Sequence, residues 1–141
     1  MKRDEIIPIN IPIYNTCLWV FFGTMEECAA ALRKNDVSER GIKSFLGKDN
    51  VQLNGMYLYN TEENVSLLWM PKVPVSIENY ASLVHEIEHF VFYLFERIGM
   101  EHTSASDEAY AYLMGHVFAE IDCAINALRE DEDKDKEEKK E

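Results

Sequence analysis

The sequence predicts an α+β domain, and three observations predict it. Short β-branched and aromatic runs occur near residues 17–22, 56–59 and 65–70, each bounded by Gly, Pro or Asn. Two long segments, about 77–98 and from Ser104 or Ser106 to about Arg129, carry apolar residues at three- and four-residue steps. At 141 residues and 47% hydrophobic composition, the chain can bury one core and is short for two. The expected order is strand, helix, hairpin, helix, helix. It gives a small mixed or antiparallel sheet of about three strands packed on two long helices.

Residues 6–16 contain Pro8 and Pro12 and read as an irregular arm leading into a strand at Cys17-Leu18-Trp19-Val20-Phe21-Phe22. Gly23-Thr24 ends that strand. Thr24 followed by Glu27 is a capping-box pair, so a helix is expected over about 25–34. Residues 35–54 are polar and glycine-punctuated and read as a loop with one short helical turn near Ile42 to Leu46. Met56-Tyr57-Leu58-Tyr59 and Val65 to Met70 flank a five-residue polar stretch, which predicts a β-hairpin. After Pro71 and Pro74, Ser76 caps the first long helix, and Gly99 stops it. The domain is expected to span 1–129 and the charged residues 130–141 to form a disordered tail.

The formal net charge is −12, of which residues 130–141 contribute −4, so the acidity is spread over the whole chain. Such a field repels phosphate backbones and anionic lipid, which argues against nucleic acid and membrane as partners. No stretch approaches the ~20 apolar residues of a membrane span, and the basic start at Lys2-Arg3 is followed at once by acids and Pro8. Cys17, Cys28 and Cys123 are odd in number and set among apolar residues, the pattern of buried free thiols. A cytoplasmic location is the expectation.

One constellation carries chemistry: His85-Glu86-Ile87-Glu88-His89, inside the first long helix. Positions i and i+4 differ by about 40° in azimuth, so both imidazoles project from one face and can reach one cation. Glu86 lies about 100° round from His85, where a carboxylate can stand beside a metal-bound water as a base without coordinating. Zn2+ suits two imidazoles and one carboxylate with a fourth position left for water. Bound water there has its pKa lowered to about 7, which prepares it to attack a carbonyl.

The third ligand has to come from elsewhere. Glycine and histidine three and six positions beyond His89 would mark a metzincin-type site, and Phe92 and Phe95 stand there instead. Glu108, in the first turn of the second long helix, can approach if that helix returns antiparallel, and Ala109 and Ala111 permit close approach. The competitors are His102 in the connecting turn, Asp107, which is expected to cap the helix, and His116 two turns further on. Glu88 is expected to face solvent. The strand Val65 to Met70 is a candidate edge for binding extended substrate by strand addition.

Leu83-Val84-His85-Glu86-Ile87-Glu88-His89, followed by Ser106-Asp107-Glu108-Ala109-Tyr110-Ala111-Tyr112-Leu113-Met114-Gly115, resembles the gluzincin branch of zinc metallopeptidases. More narrowly, it is similar to small zincin-like proteins of phages and bacterial mobile elements. The resemblance covers about residues 56–120. It implies a minimal zincin-like fold, His85, His89 and Glu108 as zinc ligands, and Glu86 as the catalytic base. Many gluzincins carry an aspartate one turn after the ligand glutamate, where it orients a ligand histidine. Here that position is Tyr112, whose hydroxyl can accept a bond from an imidazole but is neutral. The expectation is therefore a zinc-dependent metallopeptidase acting on a peptide or protein substrate. The alternative is a zinc-binding module that works through protein–protein contact.

Overall fold

In the computed structural model, residues 4–46 and 54–140 are described. Two strands form the centre of the sheet: β2 (Thr16–Phe22) and β4 (Val65–Met70) run parallel, with Leu18 opposite Ser66 and Phe22 opposite Met70. β1 (Ile7–Ile11) pairs antiparallel with β2 on one side and β3 (Met56–Asn60) antiparallel with β4 on the other, giving the order β1-β2-β4-β3. β4 is covered on both faces, which is why Val65-Ser66-Leu67-Leu68-Trp69-Met70 is a continuous run and not an alternating one.

The sheet divides two apolar clusters by the alternation of its side chains. Leu18, Val20 and Phe22 of β2, with Leu68 and Met70 of β4, point to one face, where α3 (Ile77–Arg97) and α4 (Asp107–Glu138) cover them. Phe21, Leu67 and Trp69 point to the other, against α1 (Met25–Lys34) and α2 (Glu39–Leu46). The fold is thus α+β in three layers. The expected pairing of sheet with two long helices is one half of it.

Several elements differ from expectation. The arm contains a true strand: Ile7, Ile9 and Ile11 are buried while Pro8 and Asn10 face out, and Pro8 is tolerated because β1 is a sheet edge. The short 3-10 turn Pro12–Tyr14 links it to β2. α2 is a helix of eight residues, longer than one turn, and residues 47–53 of that expected loop lie outside the described residues. Because β2 pairs with it, Val65–Met70 is an interior strand, and β3 is the edge. The charged stretch expected to be disordered continues α4 as helix to Glu138. Its acids and lysines alternate at four-residue steps, as in Glu130/Lys134 and Glu132/Lys136, the spacing that supports an exposed helix. Cys28 is buried as expected, but Cys17 is half-buried and Cys123 is exposed.

The ends of α3 follow from sequence. Ser76 Oγ accepts the Asn79 N–H at 3.2 Å while Asn79 Oδ1 accepts the Ser76 N–H at 3.3 Å, a reciprocal cap. At the far end Gly99 takes φ +74°, a left-handed conformation that lets Met100 N donate to Phe95 O at 2.8 Å. This turns the chain back, so that α4 runs antiparallel to α3 with Tyr110 against Phe95 and Phe118 near Tyr80. α3 lies over β3 and β4, and α4 over β1. Among the described residues no helix is long and apolar enough to cross a membrane.

Candidate metal centre

α3 buries Leu83, Ile87, Phe90, Val91, Leu94 and Phe95 against the sheet and α4. That stripe fixes the helix about its axis, and His85 and His89 consequently stand at its outer margin, exposed and half-buried respectively. Their Nε2 atoms are 3.0 Å apart, with ring planes at 83°. Zinc–nitrogen bonds of ~2.0–2.1 Å at a tetrahedral centre put neighbouring ligand nitrogens roughly 3.3 Å apart, so the two rings already converge as adjacent ligands do. The same distance is a hydrogen bond if one Nε2 carries a proton.

Glu86 is only 9% exposed, a rare position for a carboxylate. It lies on the side of α3 that meets β3. A Cβ at Gly55 would stand 3.1 Å from Glu86 Cγ, so the missing side chain there makes room for the carboxylate. Burial pushes Glu86 above its ordinary value, and the neighbouring His89 and His85 and a bond from the Tyr57 backbone N–H pull it partly back. An open groove of about 400 Å³, lined by Asn54, Gly55, Ala81, Ser82, His85 and Glu86, runs beside the pair. A carboxyl with a raised pKa at the wall of a groove is chemically suited to take and return a proton.

The carboxylate expected from α4 does not join this group. Tyr110 faces α3, where its hydroxyl donates to Glu88 Oε1 at 2.7 Å. Glu108 lies two residues back, about 200° round the helix, and is therefore turned outward and exposed. Among the described residues no group of three or more His, Cys, Asp or Glu side chains is gathered closely enough to hold a metal ion. The residues present thus fit the two-histidine part of a zinc site, and α4 does not bring up a third ligand.

Tyr112 is 76% exposed and lines a separate, mainly apolar groove of about 430 Å³ with Ile13, Tyr14, Leu113 and His116. It lies near the azimuth of Glu108, four residues earlier on α4, and its groove is separate from the one beside His85 and Glu86. His116 sits in the same groove. His102 Nε2 is 2.8 Å from Asp107 Oδ1, and its ring stacks on Tyr110 with centroids 3.9 Å apart. Asp107 therefore holds the connecting turn through His102 and belongs to the helix it was expected to cap.

Two residues matter that sequence reading set aside. Glu88, expected in solvent, accepts the Tyr110 hydroxyl and brings Oε2 to 3.5 Å from His89 Nδ1. Burial first, then the bond to Glu88, raise the Tyr110 phenol well above its ordinary value, so it remains a neutral donor. The signal was present: Tyr110, Leu113, Val117, Ile121, Ala124, Ile125 and Leu128 form the true buried stripe of α4, and Tyr110 begins it. Comparison of the chain with protein-family models, curated proteins and solved structures gives no match.

Proposed function

We propose that the chain is a zinc-dependent peptide hydrolase in which His85 and His89 hold the ion and Glu86 is the general base. The observation that carries this reading is the single helical turn that sets two converging imidazole nitrogens 3.0 Å apart beside a nearly buried carboxylate. Zinc, when bound, supplies a polarising charge and an acidified water. Glu86 supports the rest: its raised pKa suits it to take a proton from an attacking water and give it to a leaving amine. The groove beside His85 and Glu86 offers room for the substrate chain. The spacing of the gluzincin pattern proposes Glu108 as the third ligand, against the packing of Tyr110 that turns it away from the pair.

A second reading has an observation in its favour. With Glu108 and Tyr112 both on the outward face of α4, the histidine pair also suits a non-catalytic, zincin-like module that binds a protein partner. Metal analysis of the purified chain beside His89→Ala, Glu108→Ala and Glu86→Gln variants, with cleavage of a peptide library, separates the two. The hydrolase reading expects about one zinc per parent chain, none in His89→Ala, much less in Glu108→Ala, and full zinc without cleavage in Glu86→Gln. Zinc in the parent equal to that in Glu108→Ala removes the third-ligand assignment. Absence of zinc from the parent removes the reading altogether.

A further inference from the structure

At the turn between α3 and α4 a recess of about 240 Å³ opens between aromatic rings. Phe95 and Tyr110, almost fully buried, form its floor, and the more exposed Phe92, Met100 and His102 form its walls. His102 lies parallel to Tyr110, with centroids 3.9 Å apart, while Phe95 stands at 84° to Tyr110, so rings in two perpendicular orientations meet at one corner. Glu96 and Glu101, both exposed, line the opening. Among the described residues no Lys, Arg or His side chain pairs with either carboxylate. Two further carboxylates are bonded to the stacked rings: Asp107 Oδ1 lies 2.8 Å from His102 Nε2, and Glu88 Oε1 accepts the Tyr110 hydroxyl at 2.7 Å.

These features select a ligand by size, charge and donor count. The volume falls below the ~300–1,000 Å³ of sites for drug-sized molecules, so the recess suits one head group or one side chain. Carboxylates around it, on a chain of net charge −12, repel an anion and draw a cation. Aromatic faces attract that cation through their quadrupole, and the Met100 thioether is soft and polarisable. Rings and thioether are poor hydrogen-bond acceptors, so the N–H donors of a primary ammonium or a guanidinium would go unmet against them. A fully alkylated ammonium has no donors to lose. We infer that the recess binds a quaternary ammonium group, as carried by choline or a trimethylated lysine, with Phe92 and Phe95 against its methyl groups and Glu96 and Glu101 supplying the opposite charge. The site is separate from the zinc reading, because none of its lining residues is a ligand or the base there.

The test follows the methionine methyl signals of the full chain by NMR as choline chloride is added to about 50 mM, well above a millimolar dissociation constant, with sodium chloride as the control for ionic strength. The Met100 methyl is expected to shift and saturate with choline. The neutral alcohol in which a carbon replaces the choline nitrogen has the same shape and no charge, and it is expected to bind at least about fivefold more weakly. Phe92→Ala, at an exposed position, should keep the Tm of the parent and weaken choline about fivefold, and Glu96→Gln with Glu101→Gln should weaken it to a similar degree. Phe92→Trp, the stronger partner for a cation, should retain or tighten binding. A short trimethyllysine peptide should bind more tightly than its unmethylated counterpart. Comparing that peptide with free choline tells a modified protein chain from a small molecule as the source of the group. Equal binding of choline and the neutral alcohol overturns the inference by reducing the recess to an apolar hollow. Equal binding of the two peptides removes the quaternary assignment. A Met100 shift absent in the parent, or unchanged in both the Phe92→Ala and the double carboxylate variants, places any choline elsewhere and likewise overturns it.

Discussion

Glu86 gives up most of its hydration for its place against β3, and its pH dependence follows from that. Burial raises its pKa from the ordinary 4.5, with the histidines and the Tyr57 amide opposing. The folded state thus favours the protonated form. Its contribution to stability is fully present below about 4.5 and is lost as pH rises through the higher folded value. Glu86→Gln, neutral throughout, should therefore gain in Tm over the parent between pH 4 and pH 7 in chelator-treated protein, and a gap that narrows over that range would contradict the burial argument. Gly55→Ala should crowd the same carboxylate, because its new Cβ meets Glu86 Cγ at 3.1 Å. Cleavage, if zinc-dependent, should fall more in that variant than its thermal stability does. At this scale the sequence was informative where geometry is local: His85, Glu86 and His89 share one helical turn, and backbone geometry alone determines how they face. It was uninformative for Glu108 and Tyr112, whose direction depends on how α4 is rotated against α3. Three- and four-residue steps can be drawn along α4 in more than one phase, and only the packed structure shows that the buried one begins at Tyr110.

The elements that hold the pair in place are α3 and its contacts. Ser76→Ala removes half of the reciprocal cap and should cost about 1 kcal/mol, seen as a lower midpoint in urea with an unchanged slope. Phe90, fully buried and edge-on to Tyr57 at 5.8 Å, ties α3 to β3 one residue after His89. Phe90→Ala should cost roughly 3–5 kcal/mol and loosen the pair together with the fold. Both caps and both long helices were legible, since capping boxes and 3.6-residue periodicity are written in adjacent residues. β1 was hidden by Pro8, which argues against an interior strand but not against an edge. The helical tail was hidden by its composition, because residue counts miss the four-residue spacing of opposite charges.

The whole molecule carries a net charge of −12 on 141 residues, and self-repulsion should weaken it at low ionic strength. Raising salt from about 10 mM to about 0.5 M is expected to raise Tm, by screening over a distance that shrinks from ~30 Å to a few ångströms. The last buried side chain of α4 is Leu128, and Arg129 still bonds Pro74 O and the Tyr80 hydroxyl. Deleting residues 133–141, whose described side chains are all exposed, should therefore leave Tm within about 2 °C of the parent, as a surface change does. The three-layer arrangement was only half visible beforehand, because nothing local in α1 or α2 says which face of the sheet they cover.

The parallel pairing of β2 with β4 also sets an order of events. Leu18 meets Ser66 only after α1, α2 and β3 have been looped out between them, so the two halves of the central sheet are joined late and at a high entropic cost. During synthesis the first long strand has to wait, apolar on both faces, until residue 70 has left the ribosome. The antiparallel partner Ile7–Ile11, already made and adjacent in the chain, can pair with one edge of that strand in the interval and leaves both faces to the helices.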